Sequence, residues 1–343
     1  MQTLMLDGPG RVHWEEGEEP LLRGPGAALV RPVAVATCDL DVAVLDGRFA
    51  LPGPYPLGHE AVVEVVTAGD EVTTVVAGDR AVLAFQISCG SCPACRRGRT
   101  GNCAAHPRLS TYGLGTMGGL EWGGLLSDLI AVPYADAMLV PLPDGVDPVA
   151  VASASDNIPD AWRTVGPPLA AEPGGDVLVV GGDGGPHSIG LYAAGLAVVL
   201  GAGRVTYLDH DPARLAVAER LGAAVIDGPP PTRVGAYPVT VDASGTPEGL
   251  RCALNSTAFD GICTSPSVYI DDPPLPMFSM YSRCCTLHTG RAHVRPAIPV
   301  VLDLVARGFD PSVVTTAVVT RPDAVEALSH PPMKVVIDCR ESA

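Results

Sequence analysis

Fifteen residues constrain this chain more than any others. Cys89, Cys92, Cys95 and Cys103 stand at the spacing Cys-x2-Cys-x2-Cys-x7-Cys, separated by Gly, Pro, Ser, Asn and Arg. The run has no apolar periodicity and cannot fold by burying a face. It can fold by wrapping a metal: four thiolates complete the tetrahedral sphere of Zn²⁺ and leave no open position, which marks a structural site. The neighbouring Arg96, Arg97 and Arg99 are expected to help keep the thiolates deprotonated. The alternative is a pair of disulfides or four incidental thiols. Cysteines this dense, in a chain whose first residues (Met1 to Arg11) show no charged segment followed by an apolar one, point to metal instead.

The 343 residues are enough for two domains, each with its own core. With 47% apolar and 17% charged residues, the composition is that of a packed globular protein. The longest apolar segment, Leu191 to Ala202, is interrupted by Gly195 and Gly201 and is too short to span a bilayer. These features place the protein in the cytoplasm. A net charge of −16 disfavours nucleic acid and anionic membranes as partners. Lys334 is the only lysine. Cys252, Cys263, Cys284, Cys285 and Cys339 show no ligand spacing and read as small buried side chains.

The first 150 residues carry short strand-like runs, Ala27–Val35 and Ala61–Val66, between turn signals such as Ala68-Gly-Asp and Pro143-Asp-Gly. That pattern predicts an irregular β-barrel-like domain. From Asp176 the character changes to α/β. Val177–Val180 reads as a buried strand, Ile189–Leu200 as a helix, and Arg204–Asp209 as a strand. Pro212–Leu221 then reads as a helix and Ala223–Asp227 as a strand, giving a doubly wound parallel sheet. Later strands are expected at Val239–Asp242 and Gly261–Thr264. A helix over Val300–Arg307 and strands at Val318–Thr320 and Lys334–Asp338 are expected to rejoin the first domain.

Outside the cysteine run, Cys38, His59 and Asp156 form the thiolate, imidazole and carboxylate set that a catalytic zinc takes, three protein ligands with one position open. Glu60 is either an alternative ligand or a residue just behind the metal. Asp41 is placed to accept the second ring N–H of His59 and fix its tautomer. Zinc there would act as a Lewis acid on an alcohol or carbonyl oxygen. Singly, each of these residues also reads as an ordinary core or surface side chain.

After Val180 comes a glycine-rich turn, Gly181 to Gly190, in the strand-to-helix context of a pyrophosphate site. Its spacing departs from Gly-x-Gly-x-x-Gly. Counting back from Gly190 gives Gly185, Pro186, His187, Ser188, Ile189, with His where a second glycine is expected, and the turn is about four residues longer than the fingerprint. Gly182, Gly185, His187, Ser188, Ile189 and Gly190 are the candidate phosphate-binding residues. His187 either contacts phosphate or faces solvent. Asp209 ends the next strand, where a carboxylate accepts ribose hydroxyls and repels a 2′-phosphate, favouring NAD over NADP. Arg214 blurs that preference unless it simply belongs to a solvated helix face.

Taken in order, Cys38 with Asp41, Gly58-His59-Glu60, Gly78-Asp79-Arg80, the four-cysteine run, Ser155-Asp156, the glycine turn and Asp209 resemble the zinc-dependent medium-chain alcohol dehydrogenases over nearly the whole chain. The resemblance implies a GroES-like β-rich catalytic domain (1–158 and 299–343, with a zinc lobe at 89–103) broken by a Rossmann domain (159–298). It implies two Zn²⁺ per subunit and NAD(H). Cys38, His59 and Asp156 would hold the catalytic ion, with Glu60 close by. Cys89, Cys92, Cys95 and Cys103 would hold the structural one. A homodimer or homotetramer acting on a small alcohol, aldehyde or ketone is expected.

Two positions depart from the family pattern. Leu40 stands where a Ser or Thr hydroxyl relays the alcohol proton, and Asp160 where a Thr near the nicotinamide is common. The proton would then leave through water, Thr37 or Asp39, or the reaction would not need the relay. Three functions follow in order: an NAD-dependent alcohol dehydrogenase or carbonyl reductase, an NAD(P)H-dependent reductase of a conjugated C=C or C=N bond, and a non-catalytic NAD- or zinc-binding protein. Phe49, Trp122, Phe278 and Met280 suggest an apolar substrate wall, or plain core.

Overall fold

In the computed structural model, residues 1–340 are described, so the last three residues of the expected 299–343 segment lie outside them. The chain divides into two compact units. The first holds Met1–Pro159, Ala292–Asp303 and the chain from Thr315 onward; the second holds Asp160–Arg291 and Leu304–Val314. The return to the first unit thus begins at Ala292, ahead of the expected 299, and residues 304–314 belong to the second.

In the first unit a mixed sheet runs in the order Ala317–Thr320, Val335–Asp338, Ala28–Ala36, Glu60–Ala68, Arg80–Leu83, Leu139–Pro141, with Ile130–Val132 also paired to Ala28–Ala36. Gln2–Gly8 pairs with Arg11–Glu16 and Tyr55–Pro56 in a smaller sheet. Val30, Val35, Val63, Val65, Leu83 and Ile337 fill the core between them. Most strands of the larger sheet are rich in Val, whose β-branched side chain suits a pleated, half-buried surface.

The second unit is a six-stranded, wholly parallel sheet in the order Ala224–Asp227, Val205–Asp209, Val177–Val180, Tyr237–Asp242, Thr257–Ser265, Thr286–Thr289. Val177–Val180 is fully buried, as its unbroken apolar run requires of a central parallel strand. The helix read from Ile189 begins at His187 and runs to Val199.

Among the helices that escaped or outgrew their sequence signals, two carry internal prolines. Asn157–Ala171 carries Pro159, Gly166, Pro167 and Pro168, and Val294–Ala306 carries Pro296 and Pro299. Proline marks helix ends when read along a sequence, so the second was expected only from Val300. Among the described residues no helix is long and apolar enough to cross a membrane. Of the five unassigned cysteines, Cys252 and Cys263 are buried as expected, Cys285 and Cys339 are half-buried, and Cys284 is exposed.

Candidate active site

Cys38 lies two residues past the strand Ala28–Ala36 and caps the helix Asp39–Leu45. Its sulfur accepts from Leu40 N at 3.4 Å while its own N–H donates to Asp41 Oδ2 at 3.0 Å. This is a capping box with a thiol in place of the usual hydroxyl. The cap therefore fixes both the thiol and Asp41. His59 follows Gly58, whose φ of +94° and contact with Leu126 admit no side chain. That turn delivers the imidazole to the inner edge of the strand Glu60–Ala68. Asp41 Oδ1 lies 3.4 Å from His59 Nδ1, close enough to orient the ring, although Nδ1 makes no well-formed hydrogen bond.

Asp156 closes the short helical turn Ala152–Ser155. Ser155 Oγ donates to the carbonyls of His59 and Leu83, tying that turn to the strands beside it. Asp156 Oδ2 then lies 3.4 Å from Cys38 Sγ and 3.6 Å from His59 Nε2. The three ligand atoms fall within 4.8 Å of one another and all three residues are buried.

Tetrahedral zinc, with bonds of about 2.0–2.3 Å, sets its ligand atoms about 3.3–3.8 Å apart. The observed separations from Asp156 lie in that range, and the S, N, O donor set suits the ion. The residues fit. Their titration shows what such a cluster costs without a cation. Burial, with Asp156 adding, pushes the Cys38 thiol up to about 12. Burial disfavours a charged His59, but Asp41, Cys38 and Asp156 outweigh it and hold its pKa well above the ordinary value. A dication at the focus reverses this balance and favours thiolate and neutral imidazole.

Glu60 points elsewhere. It is fully buried, and its Oε2 accepts from Lys334 Nζ at 2.8 Å while Oε1 accepts from Asn157 N at 3.2 Å. Its carboxylate is thus engaged by Lys334 and Asn157 rather than grouped with Cys38, His59 and Asp156. Burial lifts its pKa to about 8, with Lys334 opposing the rise and Asp156 adding to it. Lys334 is itself completely buried and also donates to Asn157 Oδ1 at 2.8 Å and to the Thr37 carbonyl. Sequence reasoning missed Asn157 and Lys334 as parts of the site. The signal for one was available, because a lone lysine in an apolar strand needs a partner.

In the cysteine run, the four sulfurs of Cys89, Cys92, Cys95 and Cys103 also converge within 4.8 Å, and no disulfide forms. The N–H groups of Cys92, Cys95, Ala104 and Cys89 donate to sulfurs at 3.4–3.5 Å. The donors from Ala104 and Cys95 lower the Cys92 pKa to about 6. At Cys92 backbone amides thus do what was expected of the arginines, which are exposed, while burial raises Cys95 and Cys103.

In the second unit, the turn from Gly181 to Pro186 joins Val177–Val180 to the helix His187–Val199. Its glycines are demanded by close approach. A Cβ on Gly185 would lie 2.0 Å from the Ala243 carbonyl, and one on Gly190 would lie 2.9 Å from Ala243 Cβ. A Cβ on Gly182 would lie 3.2 Å from the Ser244 carbonyl, a tighter contact than usual but a milder one. Ser188 and Ile189 are buried in the first turn of the helix. His187 is half-buried, and its Nε2 is enclosed without a hydrogen-bond partner.

Asp209 ends its strand as expected, but its side chain is enclosed. Arg214 donates to both carboxylate oxygens, at 2.8 and 2.7 Å, and His210 N and Asp211 N donate to Oδ1. Arg214 is therefore not part of a solvated face. It is buried, and it reaches Asp183 in the glycine turn at 2.9 Å as well. Burial alone would raise the Asp209 pKa; Arg214 reverses this and holds it low. Asp160 is turned aside into a contact with Arg163. Phe49 and Trp122 pack on the first unit's core, and Met280 on the second's, while Phe278 is 83% exposed.

Residues 24–144 match the family model described as the alcohol dehydrogenase GroES-like domain. A protein of Mycobacterium tuberculosis named "Probable zinc-binding alcohol dehydrogenase" is 30% identical over 315 residues, which span 90% of this chain and 79% of that one. A glutathione-independent formaldehyde dehydrogenase of Pseudomonas aeruginosa is 31% identical over 74% of this chain and 64% of its own length. Among solved structures, an alcohol dehydrogenase from Thermus sp. ATN1 superposes with a TM-score of 0.85 at 28% identity, covering 99% of this chain and all of the other.

Proposed function

The chain belongs to the zinc-dependent medium-chain alcohol dehydrogenase family, and from that premise we propose that it transfers a hydride between NAD(H) and an alcohol or its carbonyl counterpart. The observation that carries the reading is the convergence of Cys38, His59 and Asp156, from three distant parts of the sequence, on one point. Zinc bound there supplies Lewis acidity toward the substrate oxygen, and a second ion in the cysteine lobe is structural. The chain's own residues do the rest. Asp41 orients His59, and the cap at Cys38 fixes the sulfur. Ser155 anchors the segment that carries Asp156.

For the cofactor, the glycine turn and the start of the helix His187–Val199 offer the backbone amides and dipole that hold a pyrophosphate. Asp183, Asp209 and Asp211 surround the single guanidinium of Arg214. Three carboxylates against one cation leave that region negative, which disfavours the extra phosphate of NADP. The reading also carries a homodimer or homotetramer, for which exposed Phe259, Ile270, Phe278 and Tyr281 of the second unit supply apolar surface.

Purified protein is expected to hold two metal ions per chain and to form NADH from a member of an alcohol panel. Cys38→Ala is expected to keep one metal and to lose activity about a thousandfold or more. Turnover that survives Cys38→Ala would refute the reading.

One observation favours a second reading. Leu40 has no hydroxyl, and Thr37, one of the expected proton exits, is committed: its Oγ1 accepts from Val335 N at 3.0 Å and donates to Val335 O. A reductase of a conjugated C=C or C=N bond would not need the relay. Leu40→Thr decides between them, since a gain in alcohol turnover supports the dehydrogenase and no gain supports the reductase.

A further inference from the structure

Behind the three ligand residues lies a fourth side chain whose placement has consequences for them. Asn157 is fully buried. Its carboxamide nitrogen lies 3.2 Å from Cys38 Sγ and 3.3 Å from Asp156 Oδ2, so one NH2 group spans two of the three ligands. Its carboxamide oxygen lies 2.8 Å from Lys334 Nζ. A carboxamide can be seated either way round, but an ammonium has only donors. Lys334 therefore holds the oxygen on its own side and turns the nitrogen toward the sulfur. Lys334 is held in turn by Glu60 and by the Thr37 carbonyl. Lys334 therefore donates in two directions, to Glu60 and to Asn157, and Asn157 donates onward to the metal-side thiol.

We propose that Asn157 is a positioning residue of the metal site, oriented by Lys334, which holds Cys38 and Asp156 in register and tempers the sulfur's electron donation. The proposal rests on the reading of Cys38, His59 and Asp156 as metal ligands. A hydrogen bond into a thiolate draws charge from it, so the ion it binds stays more electron-poor and more strongly polarising. Leu40 N also donates to this sulfur, at 3.4 Å. It is a backbone group, whereas Asn157 is a donor that a conservative side-chain substitution removes.

Cobalt(II) gives the test a readout apart from activity. The full-length protein is prepared with zinc in the four-cysteine lobe and cobalt at the Cys38 site, and the thiolate-to-cobalt charge-transfer band is recorded. Asn157→Leu removes the donor at nearly constant volume; Asn157→Asp keeps an acceptor for Lys334 and removes the donor. Both are expected to move the band to longer wavelength and to weaken cobalt retention at that site by roughly tenfold, with the lobe's zinc unchanged. A band and an affinity that match the wild type in either variant would overturn the proposal. So would equal loss of metal from both sites, which would mean a general packing role. A wild-type protein that takes up no cobalt outside the lobe would overturn the metal reading itself, and that result is seen before any variant is made.

Discussion

The two cysteine-containing clusters reach similar geometry by opposite means. The lobe draws all four sulfurs from fifteen consecutive residues, most of them half-exposed, and satisfies those sulfurs with its own backbone amides. The Cys38 cluster draws three ligands from positions 38, 59 and 156 and buries them. It supports them with Asp41 and Asn157, near neighbours of two of the ligands, and with Lys334 from a distant segment. One cluster is set by local chain chemistry, the other by the tertiary fold. The lobe's thiols are not alike: hydrogen bonds lower Cys89 and bring Cys92 to about 6, while burial raises Cys103 and pushes Cys95 up to about 12, as it does Cys38.

The largest effect that would separate them is on stability. Cys92→Ser is expected to empty the lobe and destabilise the protein by several kcal/mol, because a structural ion contributes its binding energy to folding. Cys38→Ser is expected to cost about 1 kcal/mol and to abolish turnover. Denaturant titration with metal analysis measures both, and equal destabilisation would erase the distinction.

Lys334→Met comes next. It leaves Glu60 buried without its cation, a loss of about 3–5 kcal/mol for a pair of this kind. Adding Glu60→Gln is expected to recover part of that loss, because an amide costs less to bury than a carboxylate. No recovery would mean that the lysine acts mainly through Asn157 and Thr37.

The smallest effect is chemical. With metal stripped, Cys92 is expected to react with iodoacetamide at neutral pH, at a rate that falls as pH drops through about 6, where its thiolate is protonated. Cys38 should stay inert over that range, its thiol being held protonated and buried. Mass spectrometry of the alkylated peptides reads both, and early labelling of Cys38 would contradict the contrast.

The same division explains what could be read from the sequence. The cysteine spacing, the strands Val177–Val180 and Val205–Asp209 and the glycine turn are local patterns, and they stand where the residues put them. Cys38, His59 and Asp156 were recognisable through their order along the chain, since nothing local requires them to meet. Arg214 was misplaced because a helix face tells nothing of the carboxylate it closes over; Asp209 sits five residues earlier, on a different element. Asn157 and the Val294–Ala306 helix were hidden by neighbouring prolines, and the role of Lys334 depends on a contact spanning 274 positions.

That lysine has one more consequence. It is the only ε-amine in the sequence, and its side chain is wholly enclosed. The folded protein therefore offers acylating, glycating and amine-crosslinking reagents no lysine to modify, and a lysine-specific protease no site to cut. Whatever exposes Lys334 to such reagents must first open the wall behind Cys38, so its labelling would report the loosening of that wall.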